Sequence, residues 1–263
     1  MTDALIGRER KDDIVWLTLN SPGSMNALSV PMLEQLDAAV RDLHADATVR
    51  CVGITGAGKA FCAGGDLLGF QADLAQPTVE PLLDRLRFAQ AVFDRIEALP
   101  MPVIAAVNGY AIAGGLELLL CCDMVIAAES ARIGDGHARY GIIPAGGSSA
   151  RLPRKIAANR ANYMLLSAEL LPAKTLEDWG LVNRVVPDGD LAAAADGLAR
   201  SIAQHSPLGL KVIKGLLANS PKTSAADAAR AEITAFGPYA RSHDFEEGLR
   251  AFVEKRRPVF TGQ

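Results

Sequence analysis

Hydrophobic and polar residues near the start of the chain follow the pattern of a β-hairpin. Ile14, Trp16 and Leu19 alternate with smaller or polar residues, as the side chains of a strand do. The polar run Lys11-Asp12-Asp13 stands where the hairpin turn is expected, and Asn20-Ser21-Pro22-Gly23 breaks the strand. We therefore expect a short hairpin in this region.

Two later stretches have the apolar spacing of helices. Ser29 can cap the first, which has Pro31 in its first turn and an apolar stripe of Leu33, Leu36, Val40 and Leu43. The second ends before Pro100-Met101-Pro102, and its expected stripe is Leu82, Leu83, Leu86, Val92, Phe93 and Ile96. The polar, proline-containing stretch of residues 71–81 before it is predicted to be a mobile loop.

Short runs of small and β-branched residues predict buried strands at residues 51–55 and 103–107. Strand, crossover helix and strand recur in this part of the chain, which indicates a right-handed parallel α/β array. After Ile126 the pattern changes, and the last third is typical of helices. We expect an α/β core over residues 1–200 and a helical segment over residues 201–263.

Composition narrows the class of protein. The 263 residues include 27 Lys and Arg against 30 Asp and Glu, a formal net charge of −3, which argues against binding to nucleic acid phosphates. No apolar run approaches the roughly 20 residues of a membrane helix, and no secretion signal is evident. The cysteines lack paired metal spacing and suit a reducing compartment: Cys51, Cys62, Cys121 and Cys122. We expect a cytoplasmic protein without metal, membrane or nucleic acid.

Two glycine-containing stretches are candidates for ligand binding. Residues 61–67 and 107–117 each follow a predicted strand, and the second stretch opens a helix. Glycine lets the backbone approach a ligand closely, and a helix start presents unpaired N–H groups. Two such turns that face each other could each offer one N–H to a developing oxyanion, although paired glycines also mark tight turns or close packing. The second stretch lacks the G-x-G-x-x-G spacing of a dinucleotide site.

The sequence resembles the enoyl-CoA hydratase/isomerase family, or crotonase superfamily. Similar segments lie in the family's order over nearly the whole chain, at residues 25–28, 61–67, 107–123, 141–147, 180–187 and 251–258. The resemblance implies a spiral of repeated ββα units followed by C-terminal helices that mediate homotrimers, often paired as hexamers. It also implies a coenzyme A thioester as the substrate, with no separate cofactor.

The resemblance assigns roles to individual residues. It implies an oxyanion hole made by the N–H groups of Gly65 and Gly114, and it makes Glu117 one of the two catalytic glutamates of hydratases. A carboxylate in the apolar run around Glu117 is costly to bury unless it is paired or used, although the helix could instead turn it to solvent. Residues implied to contact coenzyme A are Met25, Ala27, Leu28, Ala63, Gly64, Asp66 and Leu67, of which Met25 and Leu28 also suit ordinary core packing.

One position departs from the hydratase pattern. His137 stands where hydratases have their second catalytic glutamate, before Gly141-Ile142-Ile143-Pro144. Histidine is an acid–base group near neutral pH, so Glu117 and His137 could handle a water and a proton together. Asp135 could orient the imidazole or act itself, or both residues could merely stabilise a turn.

The leading hypothesis from the sequence is hydration of a trans-2-enoyl-CoA to a 3-hydroxyacyl-CoA. The first alternative is isomerisation or carbon–carbon bond hydrolysis on the same scaffold, because His137 replaces a glutamate. The second alternative is a protein that binds coenzyme A as a scaffold and has lost catalysis.

Overall fold

The computed structural model describes residues 4–263, which form ten strands and eleven α-helices. The strands are β1 (Ile6–Lys11), β2 (Ile14–Leu19), β3 (Cys51–Gly56), β4 (Ala60–Cys62), β5 (Val103–Val107), β6 (Tyr110–Ile112), β7 (Met124–Ala128), β8 (Arg132–Gly134), β9 (Leu171–Pro172) and β10 (Arg184–Val186). The helices are α1 (Val30–Ala45), α2 (Leu67–Leu74), α3 (Glu80–Glu97), α4 (Gly114–Leu120), α5 (Ser148–Lys155), α6 (Ala158–Ser167), α7 (Ala173–Trp179), α8 (Leu191–Ala203), α9 (Pro207–Asn219), α10 (Ala225–Tyr239) and α11 (His243–Glu254).

The strands divide between two sheets in a repeating way. Six strands form the larger sheet in the order β1-β2-β3-β5-β7-β10, and the smaller sheet has the order β4-β6-β8-β9. Each of β3, β5 and β7 in the larger sheet is followed along the chain by a strand of the smaller one. The chain therefore winds as a spiral of ββα units, which confirms the predicted fold class. Parallel neighbours β4, β6 and β8 bring the ends of successive turns side by side.

The predicted hairpin and first helix are confirmed. β1 and β2 pair antiparallel with Lys11 opposite Ile14, which leaves Asp12 and Asp13 as the turn. Helix α1 begins after Ser29, whose hydroxyl accepts a hydrogen bond from the Met32 N–H (3.3 Å), as an N-cap residue does.

The two faces of the larger sheet belong to different cores. Val15 and Leu17 of β2 join the main core together with the buried side of α1 and α3, whereas Ile14 and Trp16 point to the opposite face. Helix α8 covers that face with small buried residues, Ala195, Ala199 and Ala203, so it lies close to the strands. Residue 200 lies within α8; the division at residues 200 and 201 stays a prediction.

One expectation about local structure was wrong. Residues 71–74 belong to helix α2 rather than to a loop, because Asp66 caps that helix by accepting the Gly69 N–H (3.2 Å) and Arg85 pairs with Asp73 (2.6 Å). The prediction that the last third is almost entirely helical is confirmed, because β10 is its only strand in the described chain and every element from Leu191 onward is helical.

The C-terminal helices carry much apolar surface. Helices α9 and α10 bury no residue against the rest of residues 4–263. Large apolar side chains on α9 to α11 are exposed: Ile213, Leu217, Ile233, Phe236, Leu249, Phe252 and Val253. None of the helices within the described range combines the length and apolar character needed to cross a bilayer.

Candidate active site

The two glycine turns meet in the structure. The first follows β4 and the second follows β6, and these strands pair in parallel with Cys62 beside Ala111. A Cβ atom placed on Gly114 would lie 3.4 Å from the nitrogen of Gly65, and one placed on Gly64 would lie 3.5 Å from the nitrogen of Gly114. The backbone nitrogens of Gly65 and Gly114 are therefore close neighbours.

Both nitrogens carry N–H groups that are free to bind a ligand. Among residues 4–263, no acceptor takes a hydrogen bond from the N–H of Gly65 or of Gly114. Gly114 is the first residue of α4, where the helix dipole places partial positive charge. An oxygen with developing negative charge is the ligand that two such donors favour.

Only small residues allow this approach of the two turns. Gly64 has φ +105°, a conformation that favours glycine, and a Cβ atom on Gly115 would lie 2.0 Å from the carbonyl oxygen of Cys62. Ala113, which precedes α4, has φ 51° and ψ −114° and is a strained non-glycine residue. This strained residue lies directly before the Gly114 N–H. The N–H of Ala113 itself donates to the Gly134 carbonyl (3.1 Å).

The segment predicted to contact coenzyme A lies against the first glycine turn. The Leu28 N–H donates to the Gly64 carbonyl (2.8 Å) and the Ala63 N–H donates to the Met25 carbonyl (3.0 Å). Leu28 is buried, with its Cδ1 3.0 Å from a Cβ atom placed on Gly114, whereas Met25 is 36% exposed. Leu28 therefore fits the packing alternative, while Met25 remains open to a ligand. Ala27, Asp66 and Leu67 border the same turn, and contact with coenzyme A stays a prediction for the whole set.

Glu117 lies at the end of the first turn of α4 and is only 4% exposed. Its Oε1 accepts hydrogen bonds from the backbone N–H groups of Gly146 (2.8 Å) and Ser148 (3.2 Å). The orientation towards solvent, which the sequence left open, is therefore not observed. Two backbone donors stabilise the carboxylate inside an apolar helix and fix the direction in which it points.

Asp135 and His137 form a buried pair directly after β8. The Nδ1 of His137 lies 2.9 Å from Oδ1 of Asp135, and the His137 N–H contacts the same oxygen (3.3 Å). The Asp135 side chain is 1% exposed and that of His137 is 12% exposed. Burial lowers the pKa of His137, but the hydrogen bond and charge of Asp135, with a smaller effect of the Glu117 charge, raise the pKa above 6.5.

The same pair lies beside the second glycine turn. Strand β8 pairs in parallel with β6, which places Gly134 beside Ile112. The Ile112 Cγ2 lies 2.9 Å from a Cβ atom placed on Gly136, between the two polar residues. The contact between Asp135 and His137 also stabilises a local turn, so the structural alternative and an acid–base role are compatible.

Sequence reasoning missed several residues that build this site. The amide groups of Gly146 and Ser148 were not predicted as partners of Glu117, since they lie far along the chain. Asn26, fully buried with φ 58°, donates from Nδ2 to the carbonyls of Ala57 (2.9 Å) and Ala60 (2.8 Å), and so anchors β4 before the first glycine turn. Asparagine tolerates a left-handed backbone conformation better than most residues, and this property is the feature of the sequence that could have indicated the role of Asn26.

The fold and the site together define a class of protein: an α/β spiral in which two glycine turns, a buried carboxylate and a histidine–aspartate pair surround the start of one helix. The chain belongs to the enoyl-CoA hydratase/isomerase family, whose sequence profile matches residues 9–263.

Individual relatives agree with this membership. The chain is 38% identical over 251 residues to the 1,2-epoxyphenylacetyl-CoA isomerase of Escherichia coli, with 95% of each chain covered. It is 35% identical over 263 residues to the 2,3-dehydroadipyl-CoA hydratase of the same species, with 100% of both chains covered. The crystal structure of an enoyl-CoA hydratase from Bacillus anthracis matches with a TM-score of 0.94 and 34% identity, over 99% of this chain and 100% of that one.

Proposed function

We propose that this enzyme adds water to the double bond of a trans-2-enoyl-CoA and so forms a 3-hydroxyacyl-CoA. The observation that carries the proposal is the meeting of two free N–H groups, on Gly65 and Gly114, at the start of the helix that also carries the buried carboxylate of Glu117. Attack of water at Cβ moves negative charge onto the thioester oxygen. Two fixed donors in a water-poor site stabilise that charge, and loss of one such donor typically costs about 2.7–4 kcal/mol of barrier.

Glu117 acts as the base in this proposal. Its carboxylate, oriented by the amides of Gly146 and Ser148, accepts a proton from the attacking water while the water oxygen bonds to Cβ. The electron pair of the double bond moves towards the thioester carbonyl and forms an enolate, whose oxygen is bound by the two glycine amides.

His137 acts as the acid. Asp135 binds Nδ1, which leaves Nε2 as the nitrogen that exchanges a proton with the substrate. The raised pKa of His137 favours the imidazolium form, which delivers its proton to Cα as the enolate returns to a carbonyl. One proton thereby passes from His137 to the product while Glu117 takes one from water, and exchange with solvent restores both groups.

Isomerisation is the second candidate. The relative with 38% identity is a 1,2-epoxyphenylacetyl-CoA isomerase, whereas the relative with 35% identity is a 2,3-dehydroadipyl-CoA hydratase, so proteins of similar sequence include an isomerase as well as a hydratase. In an isomerisation Glu117 or His137 would remove one proton next to the double bond and return it at another carbon. Such a reaction passes through a dienolate, whose oxygen the same two amides can bind, and needs no water.

A spectroscopic assay tests the proposal. Purified protein is mixed with a short trans-2-enoyl-CoA, and the loss of the conjugated chromophore is followed together with the product mass. Hydration adds the mass of one water, and Glu117→Gln should abolish it. His137→Ala should lower the rate, and comparison with His137→Glu tests whether a carboxylate can replace the imidazole; an unchanged rate in His137→Ala would remove His137 from the mechanism.

Other outcomes of the same assay identify the alternatives. A change in the absorbance of the conjugated chromophore without a change of product mass indicates isomerisation. Turnover of a β-keto thioester indicates carbon–carbon bond hydrolysis. Tight coenzyme A binding with no turnover of any of these thioesters would contradict the proposal and indicate a binding protein.

Assembly into homotrimers or homohexamers, in the cytoplasm, is part of the proposal. The exposed apolar side chains on the C-terminal helices support assembly, because Ile233, Phe252 and Val253 are each more than two-thirds exposed in the single chain. Light scattering should give a mass of three or six chains, and Phe252→Asp should reduce it. A wild-type mass of one chain would contradict this part of the proposal.

A further inference from the structure

The residue that holds the Glu117 carboxylate is itself held by a buried arginine. Gly146 donates its N–H to Glu117 Oε1 (2.8 Å), and its carbonyl accepts a hydrogen bond from Nη1 of Arg151 in α5 (2.7 Å). The backbone of Gly146 therefore links the Glu117 carboxylate, through its N–H, to the Arg151 guanidinium, through its carbonyl.

The other side of Arg151 is fixed to helix α3. Its Nε donates to Glu97 (2.9 Å) and its Nη2 donates to Asp94 (2.5 Å). Asp94 and Glu97 are three residues apart and so lie on one face of the helix. A buried guanidinium is costly unless it is paired, and its planar fork suits three acceptors at fixed angles. Arg151 is consequently held in one geometry.

Two glycines are required by these contacts. A Cβ atom on Gly146 would lie 2.4 Å from Glu117 Oε2, and one on Gly147 would lie 2.1 Å from Arg151 Nη1. Gly147 also has φ +111°, which a larger residue rarely adopts. The absence of a side chain at Gly146 therefore leaves space for the Glu117 carboxylate, and its absence at Gly147 leaves space for the Arg151 guanidinium.

We propose that Arg151 is a positioning residue for the reaction, which orients Glu117 through Gly146 and makes that orientation depend on α3. The inference rests on the proposed use of Glu117 as the base. Arg151 reaches Glu117 only through the backbone of Gly146, so its effect falls on the geometry of proton transfer rather than on the binding of the thioester.

Kinetics of Arg151→Gln and Arg151→Lys test the role. Arg151→Gln should lower kcat about 10- to 100-fold while KM changes less than about twofold, because a base displaced by a fraction of an ångström still permits binding. Arg151→Lys should be intermediate, since an ammonium can reach the Gly146 carbonyl but cannot also hold both carboxylates. Millimolar guanidinium should restore part of the kcat of Arg151→Ala, which a purely structural defect would not allow.

The matched control is Arg95→Gln. Arg95 also belongs to a partly buried ion pair of α3, with Asp37 of α1 at 2.5 Å, but it has no hydrogen bond to Gly146. This control should lose stability and keep its kcat. Equal losses of kcat in Arg95→Gln and Arg151→Gln, at equal losses of stability, would overturn the positioning role.

Amide hydrogen exchange separates this inference from the proposed reaction. Exchange in a peptide that contains Gly146 and Ser148 should become faster in Arg151→Gln and not in Arg95→Gln, and this measurement needs no turnover. Inactive wild-type protein with faster exchange in Arg151→Gln would defeat the proposed function alone. The opposite result would contradict the positioning role of Arg151 alone. In that case the wild-type protein is active and Glu117→Gln is inactive, but Arg151→Gln keeps both its kcat and its amide exchange unchanged.

Discussion

Replacement of Gly115 by alanine should weaken the fold and the reaction together. Gly115 is the second residue of α4, and a Cβ atom there would lie 2.0 Å from the carbonyl oxygen of Cys62 and 2.8 Å from its carbonyl carbon. Because Cβ atoms essentially never come within 3.0 Å of another heavy atom, α4 and β4 must separate by about 1 Å to admit alanine.

The expected magnitude follows from this displacement. Overpacking of a rigid contact costs about 1–3 kcal/mol, and the helix preference of alanine over glycine returns about 0.5–1 kcal/mol. The free energy of unfolding should therefore fall by up to about 2.5 kcal/mol. The same movement separates the N–H groups of Gly65 and Gly114, and a misplacement of about 1 Å can lower kcat on the order of 100-fold.

Urea unfolding and initial rates with an enoyl thioester measure the two effects. Gly197→Ala is the matched control, because Gly197 is exposed inside helix α8 and a Cβ atom there meets nothing within 4 Å. That variant should gain about 0.5–1 kcal/mol and keep its rate. If Gly115→Ala behaved like Gly197→Ala in both stability and kcat, the close contact of the two turns would have no role and the reasoning would be refuted.

Three further predictions concern the surroundings of the site. The rate should fall as pH rises through the raised pKa of His137, because the acid form is lost, and Asp135→Asn should move this fall to lower pH; a fall at unchanged pH would contradict the role of Asp135. Asn26→Ala should lower the free energy of unfolding by about 1–3 kcal/mol in urea, since it leaves buried carbonyls without donors. Ala113→Gly should raise that free energy by about 1 kcal/mol through relief of strain, and a loss would show that the backbone there is unstrained.

Local patterns predicted much of the fold. The cap at Ser29, the hairpin turn and the buried strands depend on neighbouring residues, so periodicity and turn chemistry suffice to find them. The apolar run around Glu117 indicated either a buried, functional carboxylate or one turned to solvent, and the structure shows the buried orientation. Conversely, helix α2 was hidden by its polar and proline-containing surroundings, although Asp66 supplied a cap that the composition of residues 71–81 obscured.

Contacts between distant residues could not be predicted. Gly146 reaches Glu117 across 29 residues, and Arg151 reaches Glu97 across 54 residues. No local period records such pairs, since they depend on how successive turns of the spiral stack. The pairing of Asp135 with His137 was among the options that the sequence offered, because the two residues are only two positions apart and their side chains meet in one turn.

The nitrogens of the two glycine turns belong to the main chain, and this has a consequence for evolution. Among single substitutions only a change to proline deletes a backbone N–H group, whereas the side chains at positions 135 and 137 can be exchanged one at a time. A lineage can therefore retain the proposed binding site for an anionic oxygen while the residues that donate protons change. The expected result is a family whose reactions differ while the backbone stays the same. The isomerase and the hydratase that are 38% and 35% identical to this chain fit that expectation.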